Sequence, residues 1–125
     1  MRALKTPFNV IYLSLVLNVV VLVPVCLGLL ANAEWTLDAY GPSTPARGIL
    51  LSIYLAIGLG SAALLLRPEP RMVVVLLIMQ VLYKLTTPWT VGTVRNPVVR
   101  SNLAIAAIHI VTLARLLRDG LVAIG

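Results

Sequence analysis

Gln80 and Lys84 stand four residues apart inside a long apolar stretch, so on a helix both leave the same face one turn apart. His109, the chain's one histidine, follows Asn102 and Ala106 at the i, i+4, i+7 spacing of a helix face. Ser14 and Asn18 share a face of an earlier apolar run, and Tyr83 and Tyr54 reach the outer half of the same space. On a rise of ~1.5 Å per residue, Asn18 lies roughly 15 Å and Gln80 about 12 Å from the inner ends of their runs, and His109 roughly 16 Å from the outer end of its own. Across a hydrocarbon core ~30 Å thick, those three fall near one level. The sequence therefore predicts a polar layer at mid-depth.

Two kinds of chemistry suit such a layer. Interhelical hydrogen bonds that fix helix register contribute perhaps ~0.6 kcal/mol each. In that case Lys84 reaches outward to the headgroups along its aliphatic stem, and His109 is a neutral, satisfied partner. Alternatively Asn18, Gln80, Tyr83, Lys84, Asn102 and His109 line a pocket, because ionisable groups inside a membrane are costly and face a cavity or a partner. Its charge is positive or neutral, which suits an anionic lipid, a fatty acyl carboxylate or a quinone carbonyl.

Other chemistries lack their residues. All four acids, Glu34, Asp38, Glu69 and Asp119, fall in loops or at ends, so a proton-coupled cation exporter has no embedded carboxylate. A single cysteine, Cys26, excludes an intramolecular disulfide and a Cys-x-x-Cys pair. With one histidine, no zinc site is expected, and no cofactor. Nucleophilic catalysis needs a base oriented by an acid, and His109 has no acid within its own apolar run. The expectation is a protein that is not an enzyme.

The elements that must position these residues follow from composition. The 125 residues are 60% hydrophobic and only 11% charged, with a mean hydropathy of +1.01. So little polar surface cannot cover a water-facing shell, and lipid is the solvent for most of the chain. The net charge of +6 is scattered in ones and twos at the ends of apolar runs, with few aromatics, so no nucleic-acid partner is expected.

Four spans are predicted, at about 8–31, 46–66, 71–88 and 97–118, in one domain. Thr6-Pro7, Thr44-Pro45 and Asn96-Pro97 each pair a capping residue with a proline at the first helical position. Gly120 is the expected end of the fourth span, and 121–125 form an apolar tail. Thr87-Pro88 is expected to end or kink the third. The first run exceeds the ~7–15 apolar residues of a secretory signal, so it is read as a retained span despite Ala31-Asn32-Ala33 at its end. Residues 33–46 form the one substantial loop, whose Trp35, Leu37 and Tyr40 suit a short amphipathic turn in the interface. In the second span, Ser52, Ala56 and Gly60, with Gly58 and Ala62, make a ridge of small side chains suited to close helix packing.

Arg2, Lys5, Arg67, Arg71, Arg115 and Arg118 fall on one side of such a four-span chain, and Arg47, Arg95 and Arg100 on the other. The positive-inside rule then puts both termini in the cytoplasm of a bacterial-type inner membrane. The fold class is all-α, an integral-membrane antiparallel four-helix bundle.

Pro45-Ala46-Arg47, Tyr54, Gly58-Leu59-Gly60 and Leu64 through Pro68 with Arg71 resemble the DoxX-like group of small four-helix bacterial membrane proteins. That group has an Arg near the start of its second span, a Tyr one or two turns on, a Gly-x-Gly and an Arg-Pro-x-x-Arg hairpin. The Tyr83-Lys84 pair and the Asn96-Pro97 entry are not features of it. The resemblance implies a four-helix bundle and, for some members, association with larger membrane complexes; it carries no catalytic residues over. The expected role is a non-enzymatic accessory or scaffold subunit, with membrane lipids and other membrane subunits or a second copy as partners. The alternative is a small transporter or lipid- or quinone-binding protein built on the Lys84–His109 pocket.

Overall fold

The computed structural model describes the backbone of residues 5–118 and side chains from Val10 onward. Arg2, the side chains of residues 5–9, Asp119, the Gly120 cap and the 121–125 tail lie outside the described residues, and the backbone is already helical at Lys5, so the expected helix start at Thr6-Pro7 falls inside α1. Five helices account for the described chain: α1 (Lys5–Ala31), α2 (Glu34–Tyr40), α3 (Pro45–Leu66), α4 (Pro70–Val91) and α5 (Pro97–Arg118). Four of them, from Val10 in α1 and over all of α3, α4 and α5, are long and apolar enough to cross a membrane. The fifth, α2, is a seven-residue helix in the segment expected to hold only a turn.

Prolines and their preceding caps set where the long helices begin. Thr44 Oγ1 accepts the Arg47 amide at 3.3 Å, and Pro45 takes the position where no amide is needed. Asn96 Oδ1 accepts the amides of Val98 at 2.8 Å and Val99 at 3.4 Å, ahead of Pro97. Glu69 does the same for α4, its carboxylate accepting the Arg71 amide at 3.2 Å beside Pro70. An acid at that position also faces the positive end of the helix dipole.

The ends are equally specific. α1 stops at Asn32, which takes a left-handed φ of 52° while Ala33 N–H donates to Gly28 O at 3.0 Å and Asn32 N–H to Leu29 O at 3.3 Å. This is a Schellman ending, and asparagine is among the few residues that tolerate it. α4 does not end at Pro88. It runs on to Val91 and closes on Gly92, whose φ of 91° suits glycine and whose amide donates to Pro88 O. A proline inside a helix leaves the carbonyl four residues earlier without its donor. Here that carbonyl belongs to Lys84, and the Thr87 hydroxyl donates to it at 2.7 Å. The helix therefore passes through Thr87-Pro88 with its backbone satisfied.

The chain divides into two compact units, one of residues up to Ser14 together with those from Arg67 onward, the other of Leu15–Leu66. In the first, α4 and α5 pack as a hairpin, with Val73, Val74, Leu77, Gln80 and Lys84 buried on α4. α5 buries Val99, Asn102, Ile105, Ala106, His109, Thr112 and Leu116, a stripe at three- and four-residue intervals. In the second unit, Leu22 of α1 faces Gly58 of α3, and Tyr54 and Ser61 of α3 are buried.

Candidate functional site

In the α4–α5 unit the polar side chains meet in two groups. Lys84 is 4% exposed, and its ammonium donates to Asn102 Oδ1 at 3.1 Å. The same nitrogen lies 4.8 Å from the centroid of the Tyr83 ring, within range of a cation–π attraction. The head thus stays inside on α5 and does not reach outward. Gln80, one turn earlier on α4, is buried and engaged, and Tyr83 is half-buried.

The second group joins the start of α1 to α5. His109 Nδ1 lies 3.0 Å from Ser14 Oγ, and Ser14 Oγ lies 2.6 Å from Thr112 Oγ1. The Thr112 hydroxyl also lies within bonding range of the carbonyls of Ile108 (3.3 Å) and Val10 (3.4 Å). One run of protons satisfies this series: Thr112 donates to a carbonyl, Ser14 to Thr112 and His109 Nδ1–H to Ser14. All three residues have no exposed surface. A serine beside a histidine suggests nucleophilic chemistry, but this one cannot be reached from outside. Glu34, Asp38 and Glu69, the described acids, are all exposed. Among the described residues no cluster of three or more His, Cys, Asp or Glu could hold a metal ion.

Asn18 belongs to the other unit, where its amide donates to Ser61 Oγ at 3.0 Å. Among the small residues on α3, Gly58 is set against α1: a Cβ built there would lie 3.8 Å from Leu22 Cβ. Ser52 and Ala56 are exposed, and Gly60 and Ala62 are half-buried. The face of α3 turned to its own chain carries Arg47, Tyr54, Gly58 and Ser61.

Arg47 was read from the sequence only as a surface charge, yet it is 6% exposed. Its guanidinium donates to Gly41 O at 2.7 Å, to Asn32 Oδ1 at 2.8 Å and to Leu29 O at 3.2 Å. A cation on the last carbonyls of α1 opposes the negative end of the helix dipole, and the planar fork serves two directions at once. It thereby ties the end of α1, the Asn32 turn and the end of α2 together. α2 is held from beneath as well, by Thr36 Oγ1 on Ala33 O and by the Trp35 ring against Gly28, where any Cβ would run into the ring. Tyr40 packs edge-on against both Trp35 and Tyr54, at centroid distances of 6.4 and 6.1 Å. The one sequence signal for this assembly was the Pro45-Ala46-Arg47 entry, which gives no hint of the carbonyls it meets.

Below these aromatics, α1 and α3 enclose an apolar groove of about 190 Å³ lined by residues that include Leu22, Val23, Cys26, Tyr54 and Gly58. Comparison with protein-family models, with curated proteins and with solved structures finds no match to this chain. Among the described residues the fold is all-helical, with four helices long and apolar enough to cross a membrane.

Proposed function

We propose that this protein is a non-enzymatic accessory or scaffold subunit of a membrane complex. In this reading it crosses a bacterial inner membrane four times as an antiparallel bundle, with both termini in the cytoplasm. One observation carries it: polar side chains buried in the spans are engaged by one another, while large aliphatic side chains face outward on every span. Lys84–Asn102, His109–Ser14–Thr112 and Asn18–Ser61 are the inward pairs. Val20 and Leu27 on α1, Leu59 on α3, Met79 on α4 and Val111 on α5 are outward examples. Lipid and a partner's helices are equally good solvents for such faces.

Purification of the full chain from its own membrane in mild detergent, with crosslinking before extraction, tests this reading. A stoichiometric membrane partner, whose assembly fails when the protein is deleted, is the expected result. A monomer that carries a bound small molecule and no partner overturns it. A second reading draws on Lys84: its ammonium donates to a neutral amide, Asn102 Oδ1, and no carboxylate faces it among the described residues. That leaves a positive charge suited to an anionic lipid or a quinone, the ligands of a small transporter or lipid-binding protein. Lys84→Met separates the two, since loss of ligand with assembly intact favours the second and loss of assembly alone favours the first.

A further inference from the structure

Three cations gather at the turn that joins α4 to α5. Arg95 and Arg100 are exposed there, and Lys84 stands close by inside the hairpin, since its acceptor Asn102 is two residues from Arg100. The acids of this unit lie elsewhere. Glu69 caps the far end of α4, and Asp119 follows the last residue of α5 in sequence. The length of α4 puts Glu69 about 30 Å from the turn. That is several Debye lengths at physiological salt, so its charge offsets nothing here.

The turn holds its two arginines together. Arg95 N–H donates to Thr93 Oγ1 at 3.0 Å, and the Arg100 guanidinium donates to Arg95 O at 3.1 Å, which draws it back onto the turn. Among the described residues no carboxylate accepts from either guanidinium. Arg47, by contrast, has its guanidinium taken up by three oxygens of its own chain. Trp89, on the last turn of α4, and Val94, in the turn itself, are 81% and 55% exposed. An open indole beside guanidiniums, between two helices long and apolar enough to cross a membrane, suits the boundary of headgroups and acyl chains.

A phosphodiester supplies what this turn lacks, a negative charge whose oxygens match the planar fork of arginine. A neutral carbonyl does not balance three cations, and a choline headgroup brings a cation of its own. We propose that the α4–α5 turn binds the phosphate of an anionic phospholipid through Arg95 and Arg100, with Trp89 at the acyl boundary. Lys84 adds to the field but, buried, does not touch the lipid. The site rests on α4 and α5 crossing the membrane and is independent of the subunit role.

The test uses the full chain in phosphatidylcholine nanodiscs doped with phosphatidylglycerol that carries a diazirine on its headgroup, with crosslinks mapped by mass spectrometry. Label should concentrate on Trp89 and Val94, and unlabelled phosphatidylglycerol should displace it where added phosphatidylcholine does not. Equal displacement by the two lipids overturns the proposal. Arg95→Gln with Arg100→Gln should lower label at Trp89 and Val94 about tenfold, the equivalent of about 1.4 kcal/mol. Unchanged label in a variant that keeps its helical content overturns the assignment to these arginines. Arg67→Gln with Arg71→Gln removes the same charge at the opposite end of the hairpin and should leave label at the turn unaltered; an equal loss there means a response to net charge alone and overturns the site. Lys84→Met should keep most of the label, and a loss as large as that of the arginine pair assigns the lipid to Lys84 instead. A second phosphatidylglycerol with the diazirine in its acyl chain reports the membrane reading separately: Met79 and Val111 should be labelled in wild type and in every variant, and their absence from the map overturns both readings.

Discussion

The two units treat buried polarity in opposite ways. α4 and α5 carry an ammonium, an imidazole and amides on the faces they bury, and their spans have a mean hydropathy of 1.5 each. α1 and α3, at 2.7 and 2.3, keep their shared surface apolar apart from the Asn18–Ser61 pair and put their cation at the end, on helix carbonyls. A span with polar groups on one face gains from a neighbour that meets them, because lipid cannot. α4 and α5 are therefore a mutually dependent hairpin. α1 and α3 are apolar enough to insert without such help, so their pairing is held by a clamp and a close approach.

The largest expected effect breaks the first half of this contrast. Asn102→Leu leaves the Lys84 ammonium buried with its Asn102 acceptor removed, and an uncompensated buried charge costs about 3 kcal/mol. Reversible unfolding in mixed detergent micelles measures it. Adding Lys84→Met should recover most of the loss, since two apolar groups need no partner. If the double variant is as unstable as the single one, the ammonium–amide pair is not what binds α4 to α5.

Arg47→Met tests the second half. It removes hydrogen bonds from a charged donor to Gly41 O, Leu29 O and Asn32, and an expected loss of about 2 kcal/mol follows from bonds of that kind. Amide exchange should accelerate over 32–41 while the α4–α5 amides keep their protection. Arg47→Lys should not rescue it, because a single ammonium cannot reach both sites in the fork's geometry. A smaller effect, about 1 kcal/mol, is expected for Thr87→Val, which orphans the Lys84 carbonyl left by Pro88. Restoring the missing amide with Pro88→Ala in the same chain should cancel that loss, as micelle unfolding would show.

What was legible in the sequence was whatever repeats along one helix. Apolar length gave the four long helices, and Thr44-Pro45 and Asn96-Pro97 gave two starts whose caps form as expected. The Asn102–Ala106–His109 spacing put three residues on one buried stripe. What escaped depends on pairs distant in sequence. Nothing local says that Ser14 meets His109, 95 residues on, or that Asn18 meets Ser61. The passage of α4 through Pro88 was left open by the sequence, in which Thr87-Pro88 reads as ending or kinking the helix, because the compensating donor is the side chain one residue away. α2 escaped because seven residues with mixed polarity have no period to detect, and their helix is fixed by Trp35 on Gly28 and by Arg47.

The smallest predicted effect sharpens the comparison by asking what a neutral bond is worth in the apolar unit. Ser61→Ala deletes the acceptor of the Asn18 amide, a bond of 3.0 Å between buried groups. Neutral interhelical bonds within membranes average only about 0.6 kcal/mol, since the separated helices find substitute partners. Asn18 also engages a second group, so its side chain keeps an interaction when Ser61 is lost. Micelle unfolding of Ser61→Ala should therefore show a loss several times smaller than that of Asn102→Leu, although both changes remove one hydrogen bond between two spans. The difference isolates the charge on Lys84 as the cause. If the two losses are equal, burial of any polar group sets the cost, and the distinction between a polar hairpin and an apolar, clamped pair no longer explains how the chain is stabilised.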